Sequence, residues 1–137
     1  MSDPGPAPAV FDSLDDLLAA PPRPLGTTPW VLVGADELAD FERATGALSG
    51  FMALSVTNRF LPDLIQVPAA SSGVNYGADS VRFGAPLSVG DRIRVGAVLV
   101  DATPVRGGVQ TTVEITVSVD GAEHPACVVR SLSRWLA

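Results

Sequence analysis

Residues 50–64, GFMALSVTNRFLPDL, form the stretch on which the fold turns. It has helical length and no strand-like alternation. Phe51, Met52, Ala53, Leu54 and Val56, followed by Phe60 and Leu61, place apolar groups on every side of its first two turns, the pattern of a helix enclosed by other structure. Ser49 is positioned as its N-cap. Pro62 lacks an amide hydrogen and crowds the preceding turn, so the regular helix is expected to stop near Phe60. Ser55, Arg59 and Asp63 recur at every fourth position and form one polar stripe. The stripe reads as a face turned to solvent or to a dimer partner, because arginine is rarely buried unpaired. The functional alternative has Asn58 or Arg59 pointing into a pocket beside the helix.

Working outward, the enclosing material lies downstream, where the chain reads as strand. Residues 74–83 are a strand candidate with Val81 and Phe83 on one face and Arg82 on the other. Residues 91–103 alternate through Ile93, Val95, Ala97 and Leu99, and Arg106-Gly107-Gly108 makes the next turn. In the following segment Val109, Val113, Ile115, Val117 and Val119 alternate with Gln110, Thr112, Glu114, Thr116 and Ser118, one face buried and one wet. Asp120-Gly121 is a hairpin dipeptide, and residues 123–135 complete four long strands joined in sequence. Short connections imply antiparallel pairing. A twisted antiparallel sheet curled around one central helix is an α+β architecture, the hotdog fold.

Upstream, residues 1–9 are a Pro/Gly/Ala tail expected to be disordered, leaving residues 10–137 as a single domain. Residues 10–20 have the apolar spacing of a short helix, ended by Pro21, Pro22 and Pro24; Asp12, Asp15 and Asp16 read as its solvated face rather than as metal ligands. Residues 29–33 suggest a short strand. Gly34 as N-cap, Glu37 at N3, and Leu38, Phe41 and Thr45 on one face predict a helix closed by Gly46. Only Ala47, Leu48 and Ser49 separate Gly46 from Gly50, which implies a tight corner.

The 137 residues suffice for one sizeable core. A formal charge of -6, with nine scattered arginines and no lysine, argues against nucleic acid as a partner. One cysteine, Cys127, permits no internal disulfide and suits a reducing cytoplasm. The N-terminus has neither the basic nor the apolar region of a signal peptide, and no run reaches membrane-spanning length. The pattern calls for no cofactor and no metal.

The segments WVLVGADELADFERATG from Trp30, GFMALSV from Gly50, VNYGADSVRFGAPLSVGDRIRV from Val74, GGVQTTVEITVSVDG from Gly107 and HPACVV from His124 resemble the MaoC-like dehydratases, most closely their NodN-like branch. The resemblance implies a hotdog fold and kinship with (R)-specific enoyl-CoA hydratases. It also implies a loop, between the ATG element and the glycine that opens the central helix, carrying a catalytic aspartate and histidine. Here that interval is Ala47-Leu48-Ser49, so the resemblance implies that loop and catalytic pair are gone. Thr57, Asn58 and Arg59 stand where the family continues with apolar residues and proline.

Three functions remain open on this reading: a different reaction, such as cyclisation, isomerisation or elimination, on a hydrophobic, polyketide-like intermediate; a non-catalytic module that binds an acyl ligand or pairs with an active subunit; and a dehydratase with replacement acids. The candidate catalytic residues are Tyr76 and Asn75, with Asn58 as a further oxyanion donor, Arg59 as a carbonyl or carboxylate partner and Asp63 as a base. Each also has a structural reading as a satisfied polar group. His124 reads as a surface histidine at a turn, and Glu114 as solvent-facing. The substrate pocket is expected along the central helix beneath the corner, lined by Asn58, Asn75 and Tyr76 with Phe51, Leu54, Val81 and Phe83 as its apolar wall and Ser49 among the binding residues. An unpaired sheet edge predicts a homodimer or larger assembly.

Overall fold

A computed structural model describes residues 7–46 and 49–137, with Ser49 described by its backbone alone. Residues 1–6 of the expected tail, the corner residues Ala47 and Leu48, and the capping and binding roles assigned to the Ser49 side chain lie outside the described residues. The elements are β1 (Ala9–Val10), α1 (Leu14–Ala19), β2 (Arg23–Thr27), β3 (Val31–Leu32), α2 (Ala35–Thr45), α3 (Ser49–Phe60), a 3-10 turn (Leu61–Asp63), β4 (Ile65–Gln66), β5 (Ser72–Phe83), β6 (Arg92–Val105), β7 (Gly108–Val119) and β8 (Cys127–Leu136).

Among the described residues the main sheet runs β2-β6-β7-β8-β5, with β3 also paired to β6, and every pairing in it is antiparallel. The fold is a hotdog, α+β, with α3 against the inner face of the sheet. Alternation places Ile93, Val95, Ala97 and Leu99 of β6 and Val109, Val113, Ile115 and Val117 of β7 in the core. Thr111 falls on the same face and is fully buried; its hydroxyl accepts the indole N–H of Trp135 at 3.0 Å, which removes the cost of burying both polar groups.

Several expectations are corrected by the tertiary structure. The four long strands do not pair in sequence order: β5 pairs with β8, and the neighbour of β6 on its other side is β2. The segment of β2 was masked by its prolines; at the sheet edge Pro24 is tolerated, and Gly26, at φ 108, sits at a bulge. The helix expected over residues 10–20 begins only at Leu14, capped by the Ser13 hydroxyl, which accepts the Asp16 N–H. Ala9 and Val10 instead form β1, parallel to β4, so the ordered chain extends into the segment expected as tail. β8 starts at Cys127, and residues 123–125 belong to the connection before it.

The helix α3 stops at Phe60, and the chain tightens into the 3-10 turn at Pro62, as the missing amide requires. It is not buried on every side. Met52, Ala53, Thr57 and Phe60 face the interior, Leu54 and Val56 are half-buried, and Phe51 is 49% exposed. A single curled sheet covers one side of the helix, and α2 packs near another without enclosing it. The buried Thr57 hydroxyl donates to the Leu54 carbonyl at 2.7 Å, which satisfies it within the helix.

Candidate functional site

Thr57 faces the sheet, and the next residue round the helix, Asn58, is turned toward the start of β5. Asn75 on β5 lies opposite Ser133 of β8, just before a bulge that shifts the register at Gly77. The two asparagine amides meet: Asn75 Nδ2 donates to Asn58 Oδ1 at 3.0 Å, joining helix and edge strand across 17 positions of sequence. Two depressions flank this bridge. One, of about 490 Å³, is walled by Leu61, Ile65, Val67, Pro68, Val74 and Trp135. The other, of about 530 Å³, is walled by Leu54, Thr57, Ala78, Ile115, Val129 and Ser131. Both include Asn58, Leu61 and Asn75, so they adjoin at the bridge as two chambers of a trough: the second lies between α3 and the sheet, the first beyond the end of α3 against residues 61–68.

Among the described residues no ionisable side chain lines either chamber. The walls are mostly apolar, and the polar side chains offered are neutral: the two amides, Ser55, Thr57, Ser131, Ser133 and Gln66. Such a surface binds and orients an apolar molecule, and can donate hydrogen bonds to a carbonyl, but supplies no proton-transfer group of its own. The Trp135 ring is held by Thr111 below and by Gly73 beside it, where a Cβ would come within 3.2 Å of the indole.

A third depression, of about 570 Å³, lies at the far end of β5 and β8 and differs in chemistry: Arg82, Glu123 and His124 join Phe83, Pro125 and Val128 around it. Gly84 permits the close approach of the two segments there, because any side chain on it would run into the Pro125 carbonyl, and its own N–H donates to Ala126 O at 2.9 Å.

Of the residues singled out in the sequence, the structure brings Asn58, Asn75 and Leu54 together in the trough. Tyr76 is separated from them: it stacks beneath Arg134, whose guanidinium carbon lies 3.6 Å from the ring centroid, while Arg134 Nε donates to Gln110 on the outer face. Tyr76 is the residue left unpaired by the bulge between Asn75 and Gly77, and its ring turns to the outer face while Asn75 stays opposite Ser133. Arg59 also turns away, toward Glu37 of α2 at 3.6 Å and over the Phe60 ring. Asp63 is exposed on the 3-10 turn. Phe51 and Phe83 meet with ring centroids 5.2 Å apart, at the opposite end of the helix from the amide bridge, and Val81 is half-buried against the core. The Cys127 side chain is buried in the core, and desolvation pushes its thiol above the ordinary value.

Sequence reasoning missed Gly73, Ser131, Ser133 and Trp135 and the wall formed by residues 65–68. A signal was present. Ser131 and Ser133 are in phase with Cys127 and Val129, so two hydroxyls sit on the core-facing side of β8.

Comparison with known proteins places this geometry. The chain is 34% identical to 3-hydroxyacyl-thioester dehydratase Z of Mycobacterium tuberculosis over 149 aligned positions, covering 93% of the chain and 99% of that protein. Nodulation protein N of Rhizobium leguminosarum is 32% identical over 80 residues, 56% of the chain and 49% of its own length. A crystal structure of a MaoC-like dehydratase from Rhodospirillum rubrum superposes with a TM-score of 0.67 at 16% identity, covering 92% of the chain and 97% of that one. No family model matches.

Proposed function

The chain belongs to the MaoC-like dehydratase family, and from that premise we propose that it binds a hydrophobic, polyketide-like intermediate in the trough along α3 and acts on it by a reaction other than enoyl-thioester hydration: a cyclisation, isomerisation or elimination. The observation that carries this reading is that, among the described residues, no ionisable side chain lines the two chambers around the Asn58–Asn75 bridge. Hydration needs a base to take a proton from water, and removing such a group typically costs about 100-fold to 10,000-fold in rate. A neutral, shaped trough instead favours reactions in which a held conformation supplies much of the barrier lowering, with the two amides donating to a developing oxyanion. Two further facts support loss of the hydratase loop: α2 ends at Thr45 and α3 begins at Ser49, and the 149 positions aligned with the mycobacterial dehydratase exceed the 137 residues of this chain, so the relative carries residues with no counterpart here.

The second reading, a non-catalytic module that holds an acyl ligand or pairs with an active subunit, draws on the same neutral lining. The third, a dehydratase with replacement acids, draws on Glu123 and His124 at the end cavity. Crotonyl-CoA hydration separates the third reading from the other two. The proposal expects no loss of enoyl absorbance above background, together with saturable binding of decanoyl-N-acetylcysteamine measured by titration calorimetry. Turnover at the rate of a working hydratase, abolished by His124→Gln, establishes the third reading.

The assembly proposed is a homodimer formed through β5, whose outer edge has no partner strand among the described residues. Light scattering at micromolar concentration checks it, and a clean monomer sinks it. The buried, unpaired Cys127 fits a reducing compartment, and a cytoplasmic location is proposed on that basis. Among the described residues no helix is long and apolar enough to cross a membrane.

A further inference from the structure

Resting on the reading of the trough as the substrate site, we propose that the Asn58–Asn75 amide pair selects an acyl chain oxygenated in its interior, at a keto or hydroxyl group several carbons from the thioester, over the corresponding plain hydrocarbon chain. The pair sits between the two chambers rather than at an end of either. Along β5 the trough runs from Gly73 to Ala78, about 17 Å at roughly 3.3 Å per residue, with Asn75 part-way along. A chain that fills both chambers therefore passes the amides with its interior.

The hydrogen bond between the two amides uses one donor of Asn75 and one acceptor site of Asn58. What remains on the pair is the second Asn75 N–H, the Asn75 oxygen, both Asn58 N–H groups and the second lone pair of Asn58 Oδ1, three donors and two acceptors at the junction of the chambers. Both residues are exposed in the free protein, so water satisfies these groups. A bound hydrocarbon displaces that water and offers nothing in return, which leaves polar groups unpaired against an apolar ligand. A keto oxygen accepts from the amide N–H groups, and a hydroxyl also donates to the Asn75 oxygen. A chain with oxygen only at its thioester end satisfies the amides by occupying one chamber and leaving the other wet. Interior oxygenation fills both chambers with the amides paired.

The lining elsewhere reinforces the selection. The remaining polar side chains of the second chamber are Ser55, Thr57 and Ser131, and Thr57 is already bonded to Leu54 O. The first chamber beyond the bridge is walled by Ile65, Val67, Pro68 and Trp135, which suits an apolar tail.

The test is titration calorimetry of the full-length protein with a matched pair of neutral probes, 5-oxodecanoyl-N-acetylcysteamine and decanoyl-N-acetylcysteamine. The expected result is a Kd about 10-fold lower for the oxo probe, the equivalent of one lost hydrogen bond of about 1.4 kcal/mol. An Asn58→Leu/Asn75→Leu double variant, checked for folding by circular dichroism, is expected to bring the two affinities together by tightening the plain chain and weakening the oxo chain. Equal binding of both probes by the wild-type protein overturns the inference while leaving the trough as a hydrophobic site. A preference retained in the double variant overturns it too, since the amides are then not its source. Binding of neither probe removes the reading of the trough itself, and this inference with it.

Discussion

β5 and β7 are strands of 12 residues each, and they behave oppositely in the fold. β7 is paired on both sides, to β6 and β8, and its inward residues from Val109 to Val117 are buried without exception. β5 is paired on one side only and none of its residues is buried, Val81 being half-buried and the rest exposed. The register of β5 shifts twice, between Asn75 and Gly77 and between Ala78 and Ser80, but what chiefly separates the two strands is position in the sheet. The difference divides labour: β7 holds the molecule together, whereas β5, with little packing to satisfy, is free to carry Asn75 at the trough and, on the proposed reading, to offer its edge to a partner. Functional polar groups are cheap to place on a strand that contributes little to the core.

The sharpest test of this division is a pair of truncations. Ile115→Ala in β7 is expected to destabilise the protein by about 2–5 kcal/mol through lost transfer energy and a residual cavity, whereas Val74→Ala in β5, already 44% exposed, falls within about 1 kcal/mol. Urea denaturation gives both values, and comparable losses break the comparison. Next in size is Thr111→Val, which leaves the Trp135 indole N–H without its acceptor and costs about 1–3 kcal/mol, visible also as altered indole fluorescence. An unchanged midpoint shows that the indole N–H finds another partner. Gly84→Ala pushes against the Pro125 carbonyl where β5 meets β8, with an expected loss of about 1–3 kcal/mol. Amide exchange should then rise at the end of β5 and not in β7; uniform exchange means that the two strands open together.

A pH effect follows from Cys127 at the start of β8. Burial raises its thiol in the folded state, so the unfolded chain loses this proton first as pH rises. The stability contribution is therefore complete below the unfolded thiol value and is lost progressively from there up through the folded one. In a Cys127→Ala variant this alkaline decline should be smaller than in wild type, and in the wild-type protein a thiol reagent should react only as fast as the chain unfolds. The smallest stability effect is expected at the trough: Asn75→Ala on β5 should change stability by no more than about 0.5 kcal/mol, because both amides are exposed, yet alter ligand binding measurably. A large fall in stability would make Asn75 a structural residue and blur the distinction between the strands.

Much of this was legible residue by residue. The alternation in residues 109–119 identifies β7 and its buried face, Pro62 marks the end of α3, and Gly46 marks the end of α2, because each signal depends on backbone geometry over a few neighbouring residues. Asn58 was visible as a polar residue in an otherwise apolar helix, and Asn75 through the NYG element of the family resemblance. Their mutual contact was not, nor was the departure of Tyr76 to the outer face or of Arg59 to Glu37, because those outcomes depend on which elements lie side by side.

The sequence by itself determined the elements, the hotdog class and the family, since periodicity, proline and glycine act locally and the matching motifs run in order along the chain. Only the tertiary structure decided that β5 pairs with β8 instead of β6, and from that pairing the site follows. Set beside β8, Asn75 faces Ser133 and reaches Asn58 across the helix; set beside β6, it would have met other neighbours. Strand order is fixed by the closure of the whole sheet around one helix, a balance over all its contacts that no short stretch of sequence contains.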